Sequence, residues 1–101
     1  MANLNYTKNV EPLGKAGVAR QLTAGSTSLN TALTAGVFRV SIRATGADIR
    51  FAIGLGAQTA SATSHFIANG ERLDFAVPSG ANIAVIRAGS ISGVLELTEL
   101  T

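Results

Sequence analysis

Cysteine and tryptophan are absent from the 101 residues, histidine and tyrosine occur once each, and 14% of the chain is charged. Without cysteine there can be neither a disulfide nor a thiolate metal site. One histidine and six scattered acids are a poor ligand supply for a transition metal, so neither metal nor cofactor is expected. The missing tryptophan and single tyrosine remove the usual platforms for stacking sugars or bases. The opening Met1-Ala-Asn-Leu-Asn-Tyr-Thr-Lys8 has no basic-then-apolar layout, and no apolar run approaches ~18 residues. Neither a cleaved signal nor a membrane span is supported. A pI near 9.7 looks basic, but the formal charge is only +2. Capture of nucleic acid needs clustered cations with interleaved aromatics, and nucleic acid is not an expected partner.

The shortage of charge is itself informative. An ordinary soluble domain carries about 25% charged residues; here Ser, Thr and 17 alanines take that place. A surface that meets other protein explains this, and a repetitive low-complexity β protein is the alternative. A chain of this length forms one domain and buries only about two thirds of its unfolded surface, so partners would add to a thin margin of stability.

What is present is alternation. Residues 1–17, with Asn3, Asn5, Asn9, Pro12, Gly14 and Gly17, carry no periodicity over their length and read as an extended arm, either a frayed terminus or a segment that orders against a neighbouring subunit. The β domain is expected over residues 18–101. Val18, Arg20 and Leu22 alternate with Ala19, Gln21 and Thr23. Leu22-Thr-Ala-Gly25 is echoed by Leu33-Thr-Ala-Gly36, as two neighbouring strands ending in similar turns would produce, and Ser28 to Leu33 reads as a short edge strand. From Val37 to Thr45, Phe38, Val40, Ile42 and Ala44 share one face, with Val37, Arg39, Ser41 and Arg43 on the other. Thr45-Gly-Ala47 reads as a hairpin turn into Ile49, Phe51 and Ile53. Thr63–Ala68, Asn69-Gly70, Glu71–Val77 and Pro78-Ser-Gly80 continue the pattern. Asn82–Ala88 is apolar on both faces, as a central strand or one at a subunit contact would be. Val94–Leu100 closes the domain. Seven or eight strands at this spacing predict an all-β antiparallel sandwich or jelly-roll-like fold.

Catalytic constellations fail on geometry. Ser64 and His65 are adjacent, and adjacent residues of a strand point to opposite faces, so they cannot pair as nucleophile and base with Asp74. Gly54 and Gly56 have no following lysine or helix to cradle a phosphate. Asp48 and Asp74 share an outer phase with Arg50 and Arg72, for which cross-strand charge pairing is the simplest account. No catalytic, cofactor-binding or metal residue is therefore assigned. After Lys15 every basic residue is arginine, a type favoured at protein interfaces where lysine is depleted, with a solvated charged face as the equal alternative. The candidate subunit-contact residues are Tyr6, Lys8 and Pro12 in the arm, and Ile83, Val85, Ile86 and Arg87 in the doubly apolar strand.

In order, Asp48-Ile-Arg-Phe-Ala-Ile-Gly54, Ala60-Ser-Ala-Thr-Ser-His-Phe-Ile67, Asn69-Gly-Glu71, Phe75-Ala-Val-Pro-Ser-Gly-Ala81, Ile83-Ala-Val-Ile86 and Ser92-Gly-Val-Leu-Glu-Leu-Thr98 resemble the small β-sandwich virion proteins of tailed bacteriophages. The resemblance covers roughly residues 36–100 and is one of strands and turns. It implies a non-enzymatic capsid decoration or cement subunit located on the virion. The major capsid protein and further copies of the chain would be its partners. The alternative is a tail, adaptor or fibre-associated module that binds a receptor or glycan, with loop Gly54–Ala62 as its site.

Overall fold

The computed structural model describes residues 15–101. Eight strands follow one another: β1 (Ala16–Ala24), β2 (Leu29–Ala32), β3 (Arg39–Thr45), β4 (Ile49–Leu55), β5 (His65–Ile67), β6 (Arg72–Ala76), β7 (Ala81–Arg87) and β8 (Gly93–Leu100). β1 pairs with β8, β2 with β7, β3 with β6 and β4 with β5, all antiparallel. These are the nested partners of one long hairpin. Rolling it up adds the lateral pairs β3–β8 and β4–β7 and yields two four-stranded sheets, β1-β8-β3-β6 and β2-β7-β4-β5. The chain is an all-β sandwich with jelly-roll strand order.

Alternation places the core between the sheets. Leu22, Val40, Ile42, Leu95 and Leu97 from the first sheet meet Ile49, Phe51, Ile67, Ile83 and Val85 from the second, all buried. Each such side chain contributes about 1.5–3 kcal/mol on leaving water. β7 is a central strand, between β2 and β4, which explains its double apolarity. Its inward Ile83 and Val85 are fully buried in this chain's own core. On the opposite face Ala84 is also fully buried. Over that face lies the β4–β5 loop, pinned by Gln58 N–H to Asn30 Oδ1 and Ala60 N–H to Ser28 Oγ, both 2.9 Å; Asn30 is the β2 partner of Ala84.

Several expectations are corrected by the topology. The turns at Gly46 and Gly70 are present, both with positive φ, yet neither closes a hairpin. β3 and β4 lie in different sheets, as do β5 and β6, because turn chemistry reverses the chain without choosing its ladder partner. The two echoed segments likewise end strands of opposite sheets, not neighbours. Val37 and Phe38 exchange places: Val37 is buried and Phe38 is 60% exposed. Gly36 at φ +86° precedes them, and Val37 N–H turns back to Thr34 O, so strand phase holds only from Arg39. β1 also begins earlier than Val18: Ala16 pairs with Leu100, and Lys15 and Thr101 exchange two 2.8 Å backbone bonds. The remainder of the expected arm, with Tyr6, Lys8 and Pro12, lies outside the described residues.

Gly93 shows how closely the roll is wound. A Cβ there would sit 2.7 Å from Thr45 O and 3.0 Å from Ala47 N, both backbone atoms that cannot rotate away. Gly93→Ala should therefore cost about 1–3 kcal/mol, the usual range for overpacking, seen as a lower urea midpoint at unchanged slope.

Candidate functional site

Two hydroxyl-rich and turn-forming segments open one side of the sandwich. Ser61 and Ser64 close a small turn, with Ser64 N–H on Ser61 O and Ser61 N–H on Ser64 Oγ. The turn delays β5 until His65, and Asn69-Gly70 ends it, so β5 has three residues. They pair only with Ile49, Arg50 and Phe51 of β4. From Ala52 to Leu55, β4 runs on without β5 beside it. Across the gap lies β6, the edge strand of the other sheet.

The result is an apolar cleft of about 250 Å³ lined by Phe51, Ile53, His65 and Phe75. Phe51 stacks on Phe75 across the sheets at 5.8 Å and meets the His65 ring, tilted, at 5.4 Å. Phe51 is buried, Ile53 and Phe75 are half-buried, and His65 stands exposed at the lip. Among the described residues no carboxylate, lysine or arginine lines it. Chemically, the cleft can bury apolar groups, with the imidazole as its one polar contact.

Two other hollows are more polar. Three loops at one end enclose about 270 Å³ between Gly46, Asp48, Asn69, Ser90 and Ile91, where Asp48 Oδ1 accepts the Asn69 N–H at 2.8 Å. The outer face of the first sheet is a charged row: Arg43 lies directly opposite Arg72 on one side and Glu96 on the other. Arg72 turns its Nε to Ser41 Oγ at 3.0 Å and lies 3.6 Å from Asp74. Arg72 and Asp74 thus pair along β6. Asp48 and Arg50 are engaged elsewhere, Arg50 donating to Ser64 O and covering the Phe66 ring at 5.1 Å.

The predicted contact residues separate. Ile83 and Val85 face the core and are unavailable to a neighbour, a correction to their assignment. Arg87 is half-buried at the end of the same inward phase, and Ile86 is half-buried on the outer face beside Arg50 and the exposed Phe66. Ser64, His65 and Asp74 do not converge, for Asp74 lies on the outer face of the first sheet while His65 lines the cleft. Among the described residues no cluster of histidine and acids could hold a metal ion.

One functional group was missed by the sequence reading. Glu99, 1% exposed, follows Leu95 and Leu97 on the inward phase of β8. Its Oε2 accepts Arg20 Nε and Thr34 N–H, each at 3.0 Å. Burial alone would push this carboxyl up; the Thr34 backbone and hydroxyl bonds and the Arg20 bond and charge together outweigh it and hold the group below its ordinary value. Its folded pKa being depressed, Glu99 stabilises the fold above the ordinary carboxylate range and loses that contribution as pH falls through the lowered value. Glu99→Gln should accordingly flatten the acid limb of a stability–pH profile measured by urea unfolding.

Comparison with protein-family models, with curated proteins and with solved structures finds no match.

Proposed function

We propose that the chain is a non-enzymatic structural subunit that works by binding protein, and specifically a decoration or cement subunit on a phage head. The observation that carries the protein-binding part is the apolar cleft at the open side of the sandwich. It lies in a chain with little charge and with Phe38, Leu55 and Phe66 exposed. Such surface is what an interface core requires. The assignment to a phage head rests on the resemblance of residues 36–100. The jelly roll does not favour it over a receptor-binding role, since capsid and lectin domains share that architecture. Partners under this reading are the major capsid protein and further copies of the chain, with Ile86 and the arm residues Tyr6, Lys8 and Pro12 at the contacts.

The test is co-sedimentation of purified protein with heads lacking it. Binding that saturates at a fixed copy number per particle, with raised resistance of the head to heat, is expected. A protein that stays monomeric at high concentration and ignores the heads overturns the reading. Deleting residues 1–14, which precede the first ladder pair, should abolish head binding while the far-ultraviolet spectrum still shows a folded β domain.

A further inference from the structure

We propose that the cleft between β4, β5 and β6 receives residues 4–10 of a second copy of this chain, an exchanged arm that completes each sandwich. This rests on the reading of the chain as an assembling subunit and names the contact through which copies join.

Three observations converge on that occupant. First, the cleft has the form of a missing strand. β4 continues past its last β5 partner, Phe51, as far as Leu55, and β6 is a sheet edge. An added strand finds backbone edges to pair with and the apolar cleft for alternate side chains. Second, fourteen residues precede the described chain, and they contain a segment with strand chemistry. In residues 3–11, Leu4, Tyr6 and Val10 share one phase with Lys8, while Asn3, Asn5, Thr7, Asn9 and Glu11 occupy the other. A segment of period two with one apolar face suits a slot that is apolar on one side and wet on the other. The apolar cleft takes Leu4 and Tyr6, and Lys8 reaches solvent by its long stem.

Third, reach favours a second copy over the chain's own arm. Lys15 is bonded to Thr101 beside β1, and β6 is three strands away at the opposite edge of that sheet. The crossing is about 14 Å at the usual strand spacing. From Val10 to the anchored Lys15 are five residue steps, which span at most about 18 Å when fully extended. The remainder of about 4 Å is less than half the ~10 Å between packed sheets, too little to turn over the end of the sandwich and down into the cleft with residues 4–10 in place. A neighbour's arm has no such constraint, and reciprocal exchange closes a symmetric pair.

The absence of native cysteine makes the test clean. Full-length Tyr6→Cys chains carrying a mass tag are mixed with untagged His65→Cys chains and oxidised. His65 is exposed, so its replacement leaves the core intact, and unchanged urea midpoints check this. The expected product is a disulfide-linked tagged–untagged dimer, several-fold more abundant than with Ser90→Cys as partner. No excess over that control, or a link formed only within a Tyr6→Cys/His65→Cys chain at low concentration, overturns the proposal. Sedimentation supplies a second readout: Leu4→Asp/Tyr6→Asp should run as monomer where the unaltered chain associates, and unchanged association also overturns it. Head binding is scored separately. Cross-linking without head binding keeps the exchanged arm and sinks the decoration role, and head binding without cross-linking does the reverse.

Discussion

Replacing Arg20 with leucine is expected to lower stability by about 3 kcal/mol at neutral pH, the low end for breaking a buried ion pair, because Arg20 is itself 26% exposed. For a domain of this size that is a drop in melting temperature of roughly 12–24 °C. The cause is what is left behind. Glu99 is 1% exposed, and without the guanidinium its carboxylate keeps only the contacts from Thr34. Losing the Arg20 bond and charge raises the carboxyl relative to the unaltered protein, while the Thr34 bonds continue to lower it. The variant's deficit should therefore shrink as pH falls, since its folded state takes up a proton more readily than that of the unaltered protein. Arg20→Leu/Glu99→Leu should recover most of the loss, an apolar pair being as good as a buried ionic one. Urea unfolding of the three variants between acid and neutral pH measures all of this; a deficit independent of pH would show that Arg20 acts by packing alone. The pair also marks β1 as a managed edge. An inward-facing charge and the irregularity between Ala16 and Ala19 both discourage another chain from extending the first sheet there.

Ile83→Ala should cost about 2–5 kcal/mol by urea unfolding, the range for deleting a buried aliphatic side chain and leaving a cavity. Ile83 is fully buried between the sheets. Ile86→Ala, three residues along the same strand but on the half-buried outer face, should change stability by under about 1 kcal/mol. If Ile86 meets a neighbour, as proposed, its replacement weakens association instead. The two substitutions thus divide one apolar strand into a face that holds the domain together and a face open to partners. An Ile86→Ala as destabilising as Ile83→Ala would erase that division.

How far each residue could be read depended on the range of the interaction. Val40, Ile42 and Ala44 were legible because neighbours two apart on a strand share a face whatever lies opposite. The same parity, carried from Leu95 and Leu97, would have placed Glu99 inside. Nothing local, however, could point to Arg20 as its partner 79 residues away. The cleft was illegible for a related reason. Phe51 and Phe75 each read as core residues, and only the shortness of β5 and the separation of β5 and β6 into different sheets leave them facing an opening. Val37 and Phe38 misled because Gly36 at positive φ shifts the phase ahead of the strand.

By itself, the sequence determined an all-β chain of short alternating strands, punctuated by glycine turns and poor in the groups that catalysis needs. The side-chain period of a strand is an intrinsic property of extended backbone, so it is written locally. Which strands share a sheet, that Gly46 and Gly70 turn between sheets, that Glu99 finds Arg20, and that one side of the sandwich stands open were decided only by tertiary structure. Alternation specifies the face a residue takes, but ladder partners are chosen by how the rolled hairpin buries all those faces at once.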